Sequence, residues 1–301
     1  MMSTFEKKMK AFFILIRPKQ YIKNIFIFLP LFFVGQITNM ELLANASVAF
    51  VAFSLSASAV YIFNDYEDIK DDRKHPKKKY RPLAAGLISK NTALLLMFIL
   101  FIISFTLMAI ISSKALVILS IYVILNILYS LKLKRIALLD VTIIAIGFVL
   151  RLFVGSYAYE VPLKIWIVIM TFLLALFLAL AKRRDDVLIL LKSGSKMRKS
   201  IDGYNLQLID GAMLIMSAVV IVAYLVYTTS QEIIEKFQSE NLYLTALFVI
   251  FGILRYLQLT FVEKNSGSPT EIIFKDTVMQ INLVLWISAF VWIIYMTSAF
   301  L

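Results

Sequence analysis

The sequence predicts an all-α protein, a polytopic transmembrane helix bundle, and three observations predict it. Apolar residues make up 61% of the 301 and charged residues only 17%. The apolar residues gather into repeated runs of about 16 to 24, the length a helix needs to cross a hydrocarbon core. The basic residues fall almost wholly into alternate connections between those runs. Inside a bilayer each backbone polar group must be satisfied within its own segment, so runs of this length read as helices. Cysteine is absent, which excludes disulfides, thiolate metal sites and cysteine nucleophiles.

Nine spans are expected: 21–37, 42–63, 92–112, 115–131, 136–158, 163–181, 207–229, 242–262 and 277–300. Before the first, an apolar stretch is interrupted by Arg17-Pro18-Lys19 and offers no small-residue cleavage site, so no cleavable signal peptide is expected. In the second, Ser54, Ser56, Ala57, Ser58 and Ala59 read as a surface for close helix packing. No base stands near these serines in sequence to activate one as a nucleophile. Ser113-Lys114 separates the third and fourth spans. The fifth carries Asp140 and Arg151, eleven residues and roughly 16 Å apart on one side of a helix, too far for contact but able to line one cavity. Charge within a span marks Arg151 as a functional candidate, with a packing cation bound to carbonyls as the alternative. Arg255, in the eighth, reads as structural or as snorkelling to an interface.

Assigning the connections alternately to two sides puts 26 of the 31 Lys and Arg on one of them. The positive-inside rule makes that side cytoplasmic, with the N-terminus inside and the C-terminus outside. The net charge of +12 is thereby accounted for without a nucleic-acid partner. A single domain over 1–301 is expected, in the plasma (inner) membrane. Its polar chemistry lies in two cytoplasmic loops, 64–91 and 182–206.

The first of these loops contains NDYEDIKDDRKHPKKKYR, from Asn64 to Arg81. Asp65, Asp68 and Asp72 have the i, i+3, i+7 spacing that brings side chains to one side of a helix. Crowded carboxylates repel unless a cation sits among them, and hard oxygen donors that leave positions for water or phosphate suit Mg2+. The bases that follow, Arg73, Lys74, Lys77, Lys78, Lys79, Arg81 and Lys90, suit phosphate. Half of a Mg2+-diphosphate site is one reading; a solvated loop of self-compensating charge is the other. His75, the only histidine, reads as a solvated side chain. The second loop repeats acids beside bases, with Asp185, Asp186 and Asp202 among Lys182, Arg183, Arg184, Arg198 and Lys199. A metal-held diphosphate beside cations is arranged for departure of pyrophosphate from an allylic or a ribosyl carbon.

Asn64-Asp65-x-x-Asp68-x-x-x-Asp72, followed by Arg81-Pro82-Leu83-x-x-Gly86, resembles the first aspartate-rich motif of the UbiA superfamily of intramembrane prenyltransferases, whose members are nine-helix bundles. More specific segments resemble its polyprenyl-phosphate (decaprenyl-phosphate) phosphoribosyltransferase branch. They are Arg17-Pro18-Lys19-Gln20-Tyr21-Ile22-Lys23-Asn24, Tyr129 to Lys134, Gly147 to Arg151, Lys182-Arg183, and Arg198 to Tyr204. The motifs run from residue 17 to 204, and the last three helices match only in hydropathy. The sequence departs from the aromatic prenyltransferases in lacking a second D-x-x-x-D after the sixth span. Asp185 and Asp186 are followed at plus four by Ile189 and Leu190.

The resemblance implies an enzyme that transfers 5-phosphoribosyl from phosphoribosyl diphosphate to a membrane polyprenyl phosphate. Asp65, Asp68 and Asp72 would hold Mg2+ on the diphosphate, with Asn64 as a further oxygen ligand or orienting group. Arg73, Arg81, Lys182, Arg183, Arg198 and Lys199 would contact phosphates. Lys19, Lys23 and Lys134 would position the lipid phosphate, and Asp186 and Tyr204 the ribose hydroxyls. Two rivals stand beside it: an aromatic prenyltransferase using a prenyl diphosphate, and a transporter or lipid flippase using Arg151 as its binding charge.

Overall fold

The structure is a computed structural model that describes residues 4–74, 78–194, 196, 198–263, 272 and 275–296. His75 and the apolar C-terminal residues 297–301 lie outside the described residues, as does the end of the ninth predicted span. The described residues form helices and connections, with no strand among them. The long helices are α3 (Met40–Glu67), α5 (Lys90–Ile111), α6 (Ser113–Leu131), α7 (Leu139–Ala158), α8 (Ile165–Ser193), α9 (Leu206–Thr229), α11 (Ala246–Phe261) and α12 (Thr277–Met296). Short helices α1 (Thr4–Ile16), α2 (Leu29–Phe33), α4 (Ile69–Lys74) and α10 (Gln231–Phe237) lie between and before them. Among the described residues eight helical segments are long and apolar enough to cross a membrane. Outward-facing Leu95, Ile102 and Ile110 on α5 and Leu247 and Leu254 on α11 are exposed, as a lipid-facing surface requires.

The span expected over 21–37 is not a continuous α-helix. It is an eleven-residue 3-10 helix, Pro18–Phe28, followed by the single turn of α2. The cause is local. Arg17 precedes a proline, which disfavours the α conformation there, and it adopts φ 52°, the left-handed region. A 3-10 helix repeats every three residues, so Tyr21, Asn24 and Ile27 fall in one row. That row binds to its neighbours turn by turn. Tyr21 Oη and Ser58 Oγ are 2.8 Å apart, Asn24 Nδ2 donates to Ser54 Oγ at 2.8 Å, and the Ile27 carbonyl accepts from Tyr159 Oη at 2.8 Å. A Cβ on Gly155 would stand 2.1 Å from that carbonyl oxygen, so α7 approaches the segment only because residue 155 is glycine.

The chain forms two compact units, residues 1–134 with 147–163, and residues 135–146 with 164–301. In the first, α3 packs along α5 and also meets α6, α1 and the 3-10 segment. The small-residue face works as expected: Ser56 Oγ lies 2.8 Å from Ser104 Oγ of α5, which itself donates to the Ala52 carbonyl. The core beneath the acidic motif includes Leu15, Ala59, Ile62, Ile69, Leu83 and Met97. In the second unit α8 packs along α9, α11 meets α9 and α12, and Phe177, Leu180, Ile201, Ile209, Met213 and Leu259 fill the core.

The predicted span 163–181 continues as one helix to Ser193, so Lys182 to Asp186 lie on α8 and not in a loop. Nothing after Ala181 stops the helix, since Lys, Arg and Leu are good helix formers. It ends at Gly194, whose φ of 65° supplies the left-handed cap. Likewise Asn64 and Asp65 belong to the last turn of α3, and only at Asp68 does that helix hand over to α4.

Candidate active site

In the first unit the acidic motif is folded onto cations. Asp65 is 2% exposed and is paired with both Arg17 and Arg81, the latter through Nη1 at 2.9 Å. The same Nη1 lies 2.7 Å from Asp72 Oδ2, so one guanidinium nitrogen bridges two buried carboxylates seven residues apart. Asp68 sits at the junction and turns to Lys134, whose Nζ lies 2.6 Å from Oδ1 and 3.3 Å from Asn64 Oδ1. Asp65, in the last turn of α3, and Asp72, on α4, thus meet at Arg81 across the break between the two helices, while Asp68 pairs separately, so the three carboxylates do not share one helical face. Burial pushes the Asp72 carboxyl above its ordinary value against the opposing pull of Arg81.

The loop that delivers Arg81 is held from both ends. Arg73 Nε donates to the Ala84 carbonyl at 3.1 Å, Pro82, Leu83 and Ala84 are buried, and Gly86 turns the chain at φ 73°. Arg73 is exposed and closes this turn from α4; Lys19 is exposed and Lys23 half-buried on the 3-10 segment. Sequence reasoning left out Arg17 as a site residue. Its signal was the Arg-Pro pair, because a side chain on a residue forced out of the α region has a fixed and unusual direction.

No group of three or more His, Asp or Glu side chains among the described residues stands ready as a metal cage. The donor set nevertheless fits Mg2+, which takes one or two protein carboxylates and completes its shell with water and substrate phosphate. Asp65 and Asp72 already share a position occupied by a positively charged nitrogen. Asp68 and Asn64 are the adjacent hard oxygen donors.

The second unit holds a different arrangement. Arg183 is 1% exposed and Asp140 fully buried, with Nε 2.9 Å from Asp140 Oδ2. Arg183 Nη1 also pairs with Asp186, and Arg198 Nε reaches the same Asp186 Oδ2 at 3.2 Å. Ser200 Oγ and Tyr204 Oη donate to Asp140 at 3.0 and 2.6 Å, and Tyr204 accepts from the Leu138 N–H at 2.8 Å. Both roles of the Tyr204 hydroxyl are thus filled inside the protein. The expectation that it meets a ribose hydroxyl gives way to a structural one, in which it anchors the 199–203 turn to Asp140. Burial, and then the bond to Asp140, push its phenol well above the ordinary range. Close approach matters here too, since a Cβ on Gly203 would lie 2.4 Å from Ala137 Cβ. Lys182 and Lys199 are exposed. Arg184 is a structural cation: Nε bonds Asp210 at 2.7 Å, Nη1 bonds the Thr260 carbonyl, and the group stacks on Phe261.

Eight long apolar helices among the described residues and buried carboxylates folded onto cations define a polytopic membrane protein with a charged centre. The model of the UbiA prenyltransferase family matches residues 25–284. The chain belongs to that family and is an integral-membrane transferase. A decaprenyl-phosphate phosphoribosyltransferase from Mycolicibacterium smegmatis is 30% identical over 282 residues, covering 90% of this chain and 88% of the relative. One from Corynebacterium glutamicum is 26% identical, covering 95% and 87%. Among solved structures, a UbiA homolog from Archaeoglobus fulgidus bound to DMAPP and Mg2+ superposes with a TM-score of 0.69 at 21% identity, over 94% of this chain and 99% of that one. That last likeness concerns the fold.

Proposed function

We propose that this protein transfers 5-phosphoribosyl from phosphoribosyl diphosphate to a polyprenyl phosphate of the decaprenyl type, releasing pyrophosphate, at the cytoplasmic face of the plasma membrane. The sidedness rests on the distribution of Lys and Arg. Relatives named decaprenyl-phosphate phosphoribosyltransferase support the substrates. The structural observation that carries the choice of donor is Asp186. It is bracketed by Arg183 and Arg198 instead of forming a second carboxylate pair. A donor bearing a phosphate besides its diphosphate needs such added cations, whereas a prenyl diphosphate does not.

Asp65 and Asp72, with Asp68 and Asn64 beside them, would hold Mg2+, which when bound would neutralise charge on the departing diphosphate. Arg17 and Arg81 supply guanidinium donors to phosphate oxygens as negative charge develops, and Arg73 stands at the edge of the same loop. Lys19 and Lys134 orient the lipid phosphate. One of its oxygens attacks ribose C1, the C1–O bond to the diphosphate breaks, and pyrophosphate leaves with the bonding pair. The nucleophile is already anionic, so no general base is needed. In the second unit Lys182, Arg198 and Lys199 are assigned to phosphate oxygens, while Arg183, expected from the sequence to meet phosphate, is buried between Asp140 and Asp186 and holds Asp186 in place. Asp186 bonds its arginines through Oδ2, leaving Oδ1 for a sugar hydroxyl.

A donor panel tests this. Purified protein with Mg2+ receives polyprenyl phosphate with phosphoribosyl diphosphate, or an aromatic acceptor with a prenyl diphosphate. Product from the first pair alone is expected; product from the second alone would establish aromatic prenyl transfer instead.

A further inference from the structure

Exposed side chains such as Lys19 and Arg73 aside, the charges of the first unit's polar cluster balance except in one place. Asp65 and Asp72 share Arg17 and Arg81, and Asp68 holds Lys134. Lys23 and Arg151 remain, and among the described residues neither makes an ion pair. Arg151 is 5% exposed. Its bonds go to neutral acceptors only: Asn24 Oδ1 at 2.8 Å, the Gly147 carbonyl at 2.6 Å and Tyr122 Oη at 3.4 Å. Phe53 and Phe148 lie 4.7 and 5.3 Å from its guanidinium carbon. These rings fix the plane of the group without neutralising it, and two of its five N–H donors are left over.

The three-residue period of the 3-10 segment puts Gln20, Lys23 and Phe26 in one row. Phe26 packs edge-on against Phe148 at 4.9 Å, the same ring that stacks on Arg151. Lys23 lies one turn along that row towards Arg17, within electrostatic reach of Arg151 and Arg17. Asn24, next in sequence and 1% exposed, joins the two elements by accepting from Arg151 and donating to Ser54. Uncompensated charge inside a membrane protein is costly and marks a ligand or ion pathway.

We propose that Lys23 and Arg151, steadied by Asn24, form a phosphomonoester subsite separate from the acidic cluster. A phosphomonoester carries about −1.5 to −2 charge at pH 7, the charge these two cations leave uncompensated. The assignment of its occupant during turnover rests on the phosphoribosyl-transfer reading, in which the donor bears a monoester at its ribose 5-position and the lipid acceptor bears one at its head.

Calorimetric titration of the purified full-length protein separates the sources. The probes are ribose 5-phosphate for the donor, geranyl phosphate for the acceptor, and Mg2+-pyrophosphate as a control for the acidic cluster. Lys23→Gln and the charge-conserving Arg151→Lys are compared with wild type; the first changes a half-buried side chain, so folding survives even if the second variant does not. One monoester is expected to lose affinity by about 10- to 100-fold in Lys23→Gln, with pyrophosphate binding unchanged. The monoester that weakens names the source, and the KM of the matching substrate rises by the same factor. Wild-type binding of both monoesters by each variant overturns the proposal, as does binding of neither by wild type or an equal loss of all three ligands. Failure of the transfer reading shows separately, as persistent monoester binding by a wild type that makes no phosphoribosyl lipid.

Discussion

Asp65→Asn changes one atom type at the centre of the site, and its two consequences differ in size. Asp65 is buried, but the Arg17 and Arg81 side chains it pairs with are 23% and 25% exposed. Breaking a fully buried pair costs about 3–5 kcal/mol, and an exposed one contributes about 0–1 kcal/mol. With both guanidiniums partly solvated and asparagine still able to accept a hydrogen bond, the expected loss of stability is about 1–2 kcal/mol. Scaled for a chain of this size, that lowers the melting temperature by about 2–3 °C. The effect on chemistry is larger, because a group that holds charge in the transition state contributes about 100- to 1,000-fold in rate. The assay pairs a melting curve in detergent with initial rates of lipid product formation. Asp68→Asn serves as a comparison, since its pair with Lys134 is half-exposed and stability should fall by less than about 1 kcal/mol. Retention of a third or more of wild-type activity by Asp65→Asn would refute the role given to Asp65. A melting temperature lowered by more than about 15 °C would place that residue in the fold instead.

Three further outcomes follow from the same geometry. Burial raises the Asp72 carboxyl, so its ionisation costs the metal-free protein stability as pH rises from 3.8 through the raised value. Metal binding requires the ionised form. Stabilisation by Mg2+ should therefore weaken as pH falls through that window in wild type and show no such dependence in Asp72→Asn, as thermal melts at several pH values would report. Asp140→Asn removes the charge facing an Arg183 that is 1% exposed, and with Asp186 still in place the loss should be about 3 kcal/mol, read from the melt. Gly155→Ala sets a methyl group against the Ile27 carbonyl and should cost about 1–3 kcal/mol, measured the same way, whereas Gly211→Ala, with open space around it, should cost none of this.

Much of the architecture is legible in the sequence because membrane helices are specified by local composition. Eight of the nine expected spans coincide with long helices, since a run of twenty apolar residues in lipid has no alternative to hydrogen-bonding within itself. The exception over 21–37 follows Arg17-Pro18, a dipeptide that stops α1 and whose effect on backbone geometry hydropathy does not register. The continuation of α8 through Lys182 to Ser193 was hidden for the opposite reason, as charge ends an apolar run without ending a helix. At the site, the closeness of Asp65 and Asp72 was readable because only seven residues separate them, whereas the break at Asp68 that puts them on two helices was not. The pairing of Asp68 with Lys134, sixty-six residues away, was not, and neither was the capture of Asp140 by Ser200, Tyr204 and Arg183. Such partnerships are set by which helices pack together.

The most direct measurement follows ribose-labelled phosphoribosyl diphosphate with Mg2+ and polyprenyl phosphate through a single turnover, counting label in the lipid phase and pyrophosphate in water. Label entering lipid one-for-one with pyrophosphate in wild type, and neither in the Asp65→Asn, Asp72→Asn double variant, is the expected result. Equal transfer by the double variant, or pyrophosphate released with no labelled lipid, would contradict phosphoribosyl transfer at these carboxylates.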